Sequence, residues 1–236
     1  MEPNENSGDF ARPVKTIEPA APKPSDGRKE GGRLQRAAQI VSDVFSPLLM
    51  PTYCMAMAMW ITPLQILPER TRIGATIGVA VITAVIPLGI LLLMLRTGRI
   101  SDMSISDRRQ RTVPMLIAIL AYLGAALYLH ILHAPLWLQC FFYGAATSTT
   151  LSLFITLRWK ISAHAGAAGG MAGMMLWLTA TGLATVNAML WLTGVILLGG
   201  VIGSARLVLE RHTPAQVCCG WLLSAVCVFI AMCIPY

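Results

Sequence analysis

Two ionisable clusters stand between apolar segments of this chain. One is Gly-Ser-Ala-Arg-Leu-Val-Leu-Glu-Arg-His-Thr-Pro-Ala-Gln, residues 203–216, with Arg206 six residues before His212. The other is Arg158-Trp-Lys160-Ile-Ser162-Ala-His164. Ionisable groups beside a membrane are costly to keep and usually have a role. An imidazole flanked by cations suits phosphate chemistry. Guanidinium and ammonium groups bind the oxygens, and imidazole serves as nucleophile or proton donor. If 206–212 is helical, six residues advance ~9 Å along the axis, and Arg206 and His212 approach one phosphate where the helix ends near His212. Thr213-Pro214 supports that stop, because a residue before proline is pushed out of the helical region. The plainer reading is a snorkelling arginine at a span end followed by an interfacial histidine, and Arg211 fits it well.

His164 precedes a Gly- and Ala-rich span. There it lies beside the first unpaired N–H groups of a helix, a natural anion site, with Lys160 and Ser162 as neighbours. Structurally, Gly166/Gly170 and Gly169/Gly173 are pairs of small residues four apart, which permit close helix contact. A third polar stretch, Arg96–Pro114, holds five Arg and two Asp. Arg108, Arg109 and Arg111 can supply guanidinium groups to a phosphate; the alternative is an ordinary solvated loop. Ser106 or Asp107 suits a helix cap there, and Pro114 the start of the next span.

The elements that hold these clusters are apolar. The chain has 236 residues, 56% hydrophobic and 12% charged. A membrane span needs roughly 20 apolar residues, and candidates fall at about 44–66, 73–95, 113–133, 135–157, 166–182, 184–203 and 214–234. In lipid such runs satisfy their backbone only as helices. The expected fold is all-α, a polytopic transmembrane bundle of six to seven spans in one domain, residues 41–236. Pro47, Pro51 and Pro63 interrupt the first candidate, so part of it reads as interfacial or re-entrant. Residues 1–40 read as a disordered basic, Pro-rich tail. Its arginines and lysines suit anionic headgroups.

The net charge of +7 bears on topology, not on nucleic acid, which is not an expected partner. With seven spans, the tail and the three basic loops share a side that holds sixteen of the eighteen Lys and Arg, leaving Arg70 and Arg72 opposite. The positive-inside rule then places the N-terminus in the cytoplasm. The six Cys lie in apolar segments without metal spacing and read as small buried hydrophobes. Met and Trp read as lipid-facing filler and interface anchors. His130 and His133 share a helix face but lack further ligands in sequence, so no metal is expected.

These residues resemble motifs of the type-2 phosphatidic acid phosphatase and haloperoxidase superfamily. Its three motifs are Lys-x6-Arg-Pro, Pro-Ser-Gly-His and Ser-Arg-x5-His-x3-Asp. Ser162-Ala-His164 resembles the second, and Arg206-x5-His212 keeps the spacing of the third. Ile161, Ala163 and Gln216 stand where those motifs have Pro, Gly and Asp, and the first motif is absent. The likeness covers about residues 100–236 and is that of a divergent bacterial membrane branch, which implies an inner-membrane location. It implies a metal-free and cofactor-free lipid phosphate or diphosphate phosphatase. In that scheme His212 attacks phosphorus, and His164 protonates the leaving oxygen. Arg206, Lys160, Ser162, Arg108, Arg109 and Arg111 bind phosphate, and Gln216 orients His212. Asp102 or Asp107 is available to replace the missing carboxylate. Two alternatives are a non-catalytic relative that binds anionic lipids, and a prenyltransferase-like enzyme using magnesium at Asp102–Asp107.

Overall fold

The computed structural model describes residues 27–99 and 112–234, with residues 27–31 described by their backbone alone. Arg108, Arg109, Arg111, Asp102, Asp107 and Ser106 lie outside the described residues, as does the tail before residue 27. Within them the chain is helical and holds no strand. In order it forms α1 (Gly27–Val44), α2 (Met50–Ile61), a 3-10 turn (Pro63–Ile66), α3 (Glu69–Ala80), a π turn (Val81–Val85) and α4 (Ile86–Arg96). Then follow α5 (Thr112–Ile131), α6 (Leu136–Thr156), α7 (Ala163–Ala180), α8 (Ala188–Val208) and α9 (Pro214–Cys233).

Among the described residues, four helices are long and apolar enough to cross a membrane: the continuous Glu69–Arg96, then α5, α8 and α9. Their outward faces are aliphatic, as at Leu93, Leu120, Leu197 and Ile230, which suits a lipid solvent. α6 and α7 are the interior pair. They carry Gln139, Ser148 and Thr156 or a run of glycines, and most of α7 is buried.

Glycine sets the central contact. Gly169 and Gly173, four apart on α7, face the backbone of Trp221 and Ala225 on α9, and a Cβ added at either would collide with those carbonyls. Gly144 on α6 meets α9 in the same way, since a Cβ added there would lie 2.7 Å from the Cα of Val228. The glycine pairs are thus packing positions, as small residues four apart permit.

Several expectations need correction. Residues 27–40 are helical, not disordered, because α1 starts at Gly27. Much of the methionine and tryptophan is core, not lipid-facing. Met50, Met55, Met174, Met175 and Met232 are buried, and Trp137 stacks on a buried Trp177 at 5.7 Å. Aromatic and thioether side chains fill the gaps that glycine-lined helices leave. Of the cysteines, only Cys54 and Cys140 are buried, while Cys218, Cys219 and Cys233 are exposed.

α2 has twelve residues, only ~18 Å of helix. Even so, its flanks reach both ends of α7. Ser42, in the last turn of α1, accepts a hydrogen bond from His164 at the start of α7 (3.1 Å). At the last residue of α2, the Ile61 carbonyl accepts from the Thr185 N–H (2.8 Å) and hydroxyl (3.1 Å), beyond the end of α7. Residues 42–61 therefore run the full length of α7.

Adding one methyl at Gly169 should destabilise the protein by about 1–3 kcal/mol, since backbone on α9 cannot yield as a side chain can. Gly200→Ala is the control, with nothing within 4 Å of its added Cβ. Thermal unfolding in detergent checks this: Gly169→Ala should lower Tm and Gly200→Ala should not.

Candidate phosphate site at the helix ends

The polar clusters meet at one end of the bundle. The start of α7, the end of α8, the start of α9 and the end of α1 all lie there. Each helix end leaves backbone groups without intrahelical partners, and these order the loops.

α9 begins with a capping box. Thr213 accepts from the Gln216 N–H through its hydroxyl (3.4 Å), and the Gln216 side-chain oxygen accepts from the Thr213 N–H (3.2 Å). Pro214 follows the cap, where a missing N–H costs nothing. That oxygen also lies 3.2 Å from His212 Nδ1. A backbone N–H only donates, so the atom facing Thr213 is Oε1 and the amide orientation follows. Nδ1 must then carry the ring proton, and neutral His212 keeps its lone pair on Nε2. Gln216 thus holds the tautomer that a carboxylate would hold, without its charge.

α8 ends at Val208, not near His212. Glu210 adopts φ 53°. Its N–H bonds Leu207 O (2.9 Å) and the Arg211 N–H bonds Arg206 O (3.2 Å), a Schellman ending. Glycine normally fills that left-handed position, and another residue pays about 1–2 kcal/mol for Cβ crowding. The expected helical link between Arg206 and His212 is therefore replaced by a turn. Arg206 stays in the last turn of α8, 7% exposed, and the turn carries Glu210, Arg211 and His212 away from the axis.

Ser42 joins the other two site residues. Its hydroxyl accepts from Arg206 NH1 (3.3 Å), and its carbonyl oxygen accepts from His164 Nε2 (3.1 Å). Both are cations or potential cations at the C-terminal end of α1, where the helix dipole favours positive charge. Because a carbonyl only accepts, His164 carries a proton on Nε2 here. Ser42 was missed in the sequence because it sits at the border between tail and first apolar segment. Its one signal is a serine one helical turn before Ser46-Pro47.

Ser162 caps α7. Its hydroxyl accepts from the Ala165 N–H (3.3 Å), and it is 1% exposed. Its own N–H donates to the Gln216 carbonyl oxygen (3.3 Å). Gly220 lies against the Ser162 carbonyl, with room for no Cβ. Ser162 therefore ties the two histidine loops together.

An open cleft of about 590 Å³ lies beside this junction. Lys160, Glu210, Arg211, His212, Thr213 and Gln216 are among its lining residues. His164 and Arg206 converge instead on Ser42. Among the described residues no group of three or more His, Cys, Asp or Glu is placed to hold a metal ion. His130 and His133 are exposed at the other end of α5.

Ser42→Ala should cost about 1–3 kcal/mol, as expected for removing a buried acceptor from a charged donor. Gln216→Ala should cost about 1 kcal/mol through the lost cap and release the His212 tautomer. Unfolding in detergent reads the first effect, and ¹⁵N chemical shifts of the imidazole read the second. An unchanged Nδ1–H population in Gln216→Ala would contradict the tautomer assignment.

No protein-family model, curated protein or solved structure matches the chain.

Proposed function

We propose that the protein is an integral membrane phosphatase of lipid phosphates or diphosphates, of the phosphatidic acid phosphatase type. The observation that carries this reading is the His212–Gln216 contact, which sets the tautomer a nucleophilic imidazole needs, on a residue that lines one cleft with Lys160 and Arg211. In the reaction, Nε2 of His212 forms a bond to phosphorus in line with the lipid oxygen, whose bond to phosphorus breaks. Lys160 and Arg211 neutralise the equatorial oxygens, where such transition states carry charge. His164, as imidazolium, gives the Nδ1 proton to the departing oxygen while its Nε2–H stays on the Ser42 carbonyl. Water then cleaves the phosphohistidine and releases phosphate.

The bundle in this reading has seven spans. The continuous 69–96 helix and α5 to α9 supply six. Residues 42–61 supply the seventh, supported by hydrogen bonds at both ends of α7. An odd number keeps the tail beside the three basic loops, which the positive-inside rule assigns to the cytoplasm. The proposed location is a bacterial inner membrane.

A second reading, an anionic-lipid binder without turnover, is favoured by one contact. The Nε2 proton of His164 is directed at Ser42, not at the cleft.

Purified protein should release phosphate from phosphatidate, phosphatidylglycerol phosphate or a polyprenyl diphosphate. His212→Ala should lower kcat about a thousandfold or more, as loss of a nucleophile does, and abolish the acid-labile phosphoenzyme trapped with labelled substrate. Lys160→Ala should act mainly on KM. Lipid binding that survives both His164→Ala and His212→Ala, with no phosphate released, would favour the second reading.

A further inference from the structure

Glu210 is out of place on local grounds. It fills the left-handed position of a Schellman ending at φ 53°, where glycine relieves crowding and a long side chain does not. Unlike Asn or Asp, Glu does not gain a local hydrogen bond that eases this conformation. Packing does not explain it either, because Glu210 is exposed. Its carboxylate makes no hydrogen bond or ion pair within the described structure. It nevertheless lines the same cleft as Lys160, Arg211 and His212. An acidic group in a phosphate cleft works against the phosphate, since like charges repel. Its presence has a use where the ligand also brings a positive charge.

We infer that Glu210 makes this cleft selective for lipid phosphates bearing an ammonium group close to the phosphate. Lys160 and Arg211 take the phosphate oxygens, and the Glu210 carboxylate takes the ammonium. The inference rests on the phosphate-site reading above, but not on turnover. With the carboxylate in place, the two cations and one anion lining the cleft match a zwitterionic headgroup. Without it, the cleft matches a purely anionic one.

Two ligands that differ only in the amine test this: 2-aminododecyl phosphate and dodecyl phosphate. Binding is measured by calorimetry on the full-length protein in nanodiscs of neutral lipid. Partition into the bilayer cancels between wild type and variant. Wild type should bind the amino compound at least as tightly as its partner. Glu210→Gln and Glu210→Gly should each shift the ratio of the two Kd values about fivefold toward dodecyl phosphate, the size of one partly exposed charge pair. Glu210→Gly should also raise Tm, because it relieves the left-handed strain, whereas Glu210→Gln should not. An unchanged Kd ratio in both variants overturns the inference, even if the enzyme turns over. A shifted ratio without phosphate release supports it and counts only against the catalytic reading.

Discussion

The close approach of α7 to α9 is the contact on which the site depends. Gly169 and Gly173 let the two backbones meet without intervening side chains. In lipid, water expulsion between helices contributes little, so contact of this kind comes from van der Waals packing of small residues. The two helices start at the same end of the bundle, and their caps become neighbours. That is why the Ser162 N–H reaches the Gln216 carbonyl and why Gly220 must lack a side chain. Each histidine loop is positioned by the other's helix start.

Hydrogen bonds to helix-end groups then decide proton positions. The Thr213 N–H orients the Gln216 amide, and the amide orients the His212 ring. The Ser42 carbonyl, one of the last in α1, holds the Nε2 proton of His164. Groups left over from secondary structure thus do the work that a carboxylate does in charge-paired histidines. The arrangement is local in bonding but joins four helices that are distant in sequence.

The overall character of the chain was legible residue by residue. Apolar run length marked α5, α6, α8 and α9 to within a few residues, because bilayer thickness leaves few alternatives. Thr213-Pro214 reads in the sequence as the stop of the preceding helix, but α8 ends at Val208 and Thr213 caps the start of α9. The spacing of Gly169 and Gly173 announced a tight helix contact, although not its partner. Other positions were hidden for physical reasons. Met174 and Trp177 look like lipid-facing residues, since a span's outer and inner faces are both apolar and hydrophobicity cannot tell them apart. α1 was hidden by its low hydrophobicity. The end of α8 was hidden because Glu210, unlike glycine, gives no sign of a left-handed turn.

The sequence by itself determined an all-helical membrane chain with basic residues gathered at span ends, because lipid dictates run length and charge is expelled to the boundary. It also determined which residues have the chemistry to handle phosphate. Only the tertiary structure decided which of them share a site. It set Lys160, Arg211 and His212 around one cleft, turned His164 and Arg206 onto Ser42, and gave Ser162 to a helix cap. Those outcomes depend on which helices touch and where each one ends, and both are settled by packing between segments far apart in the chain.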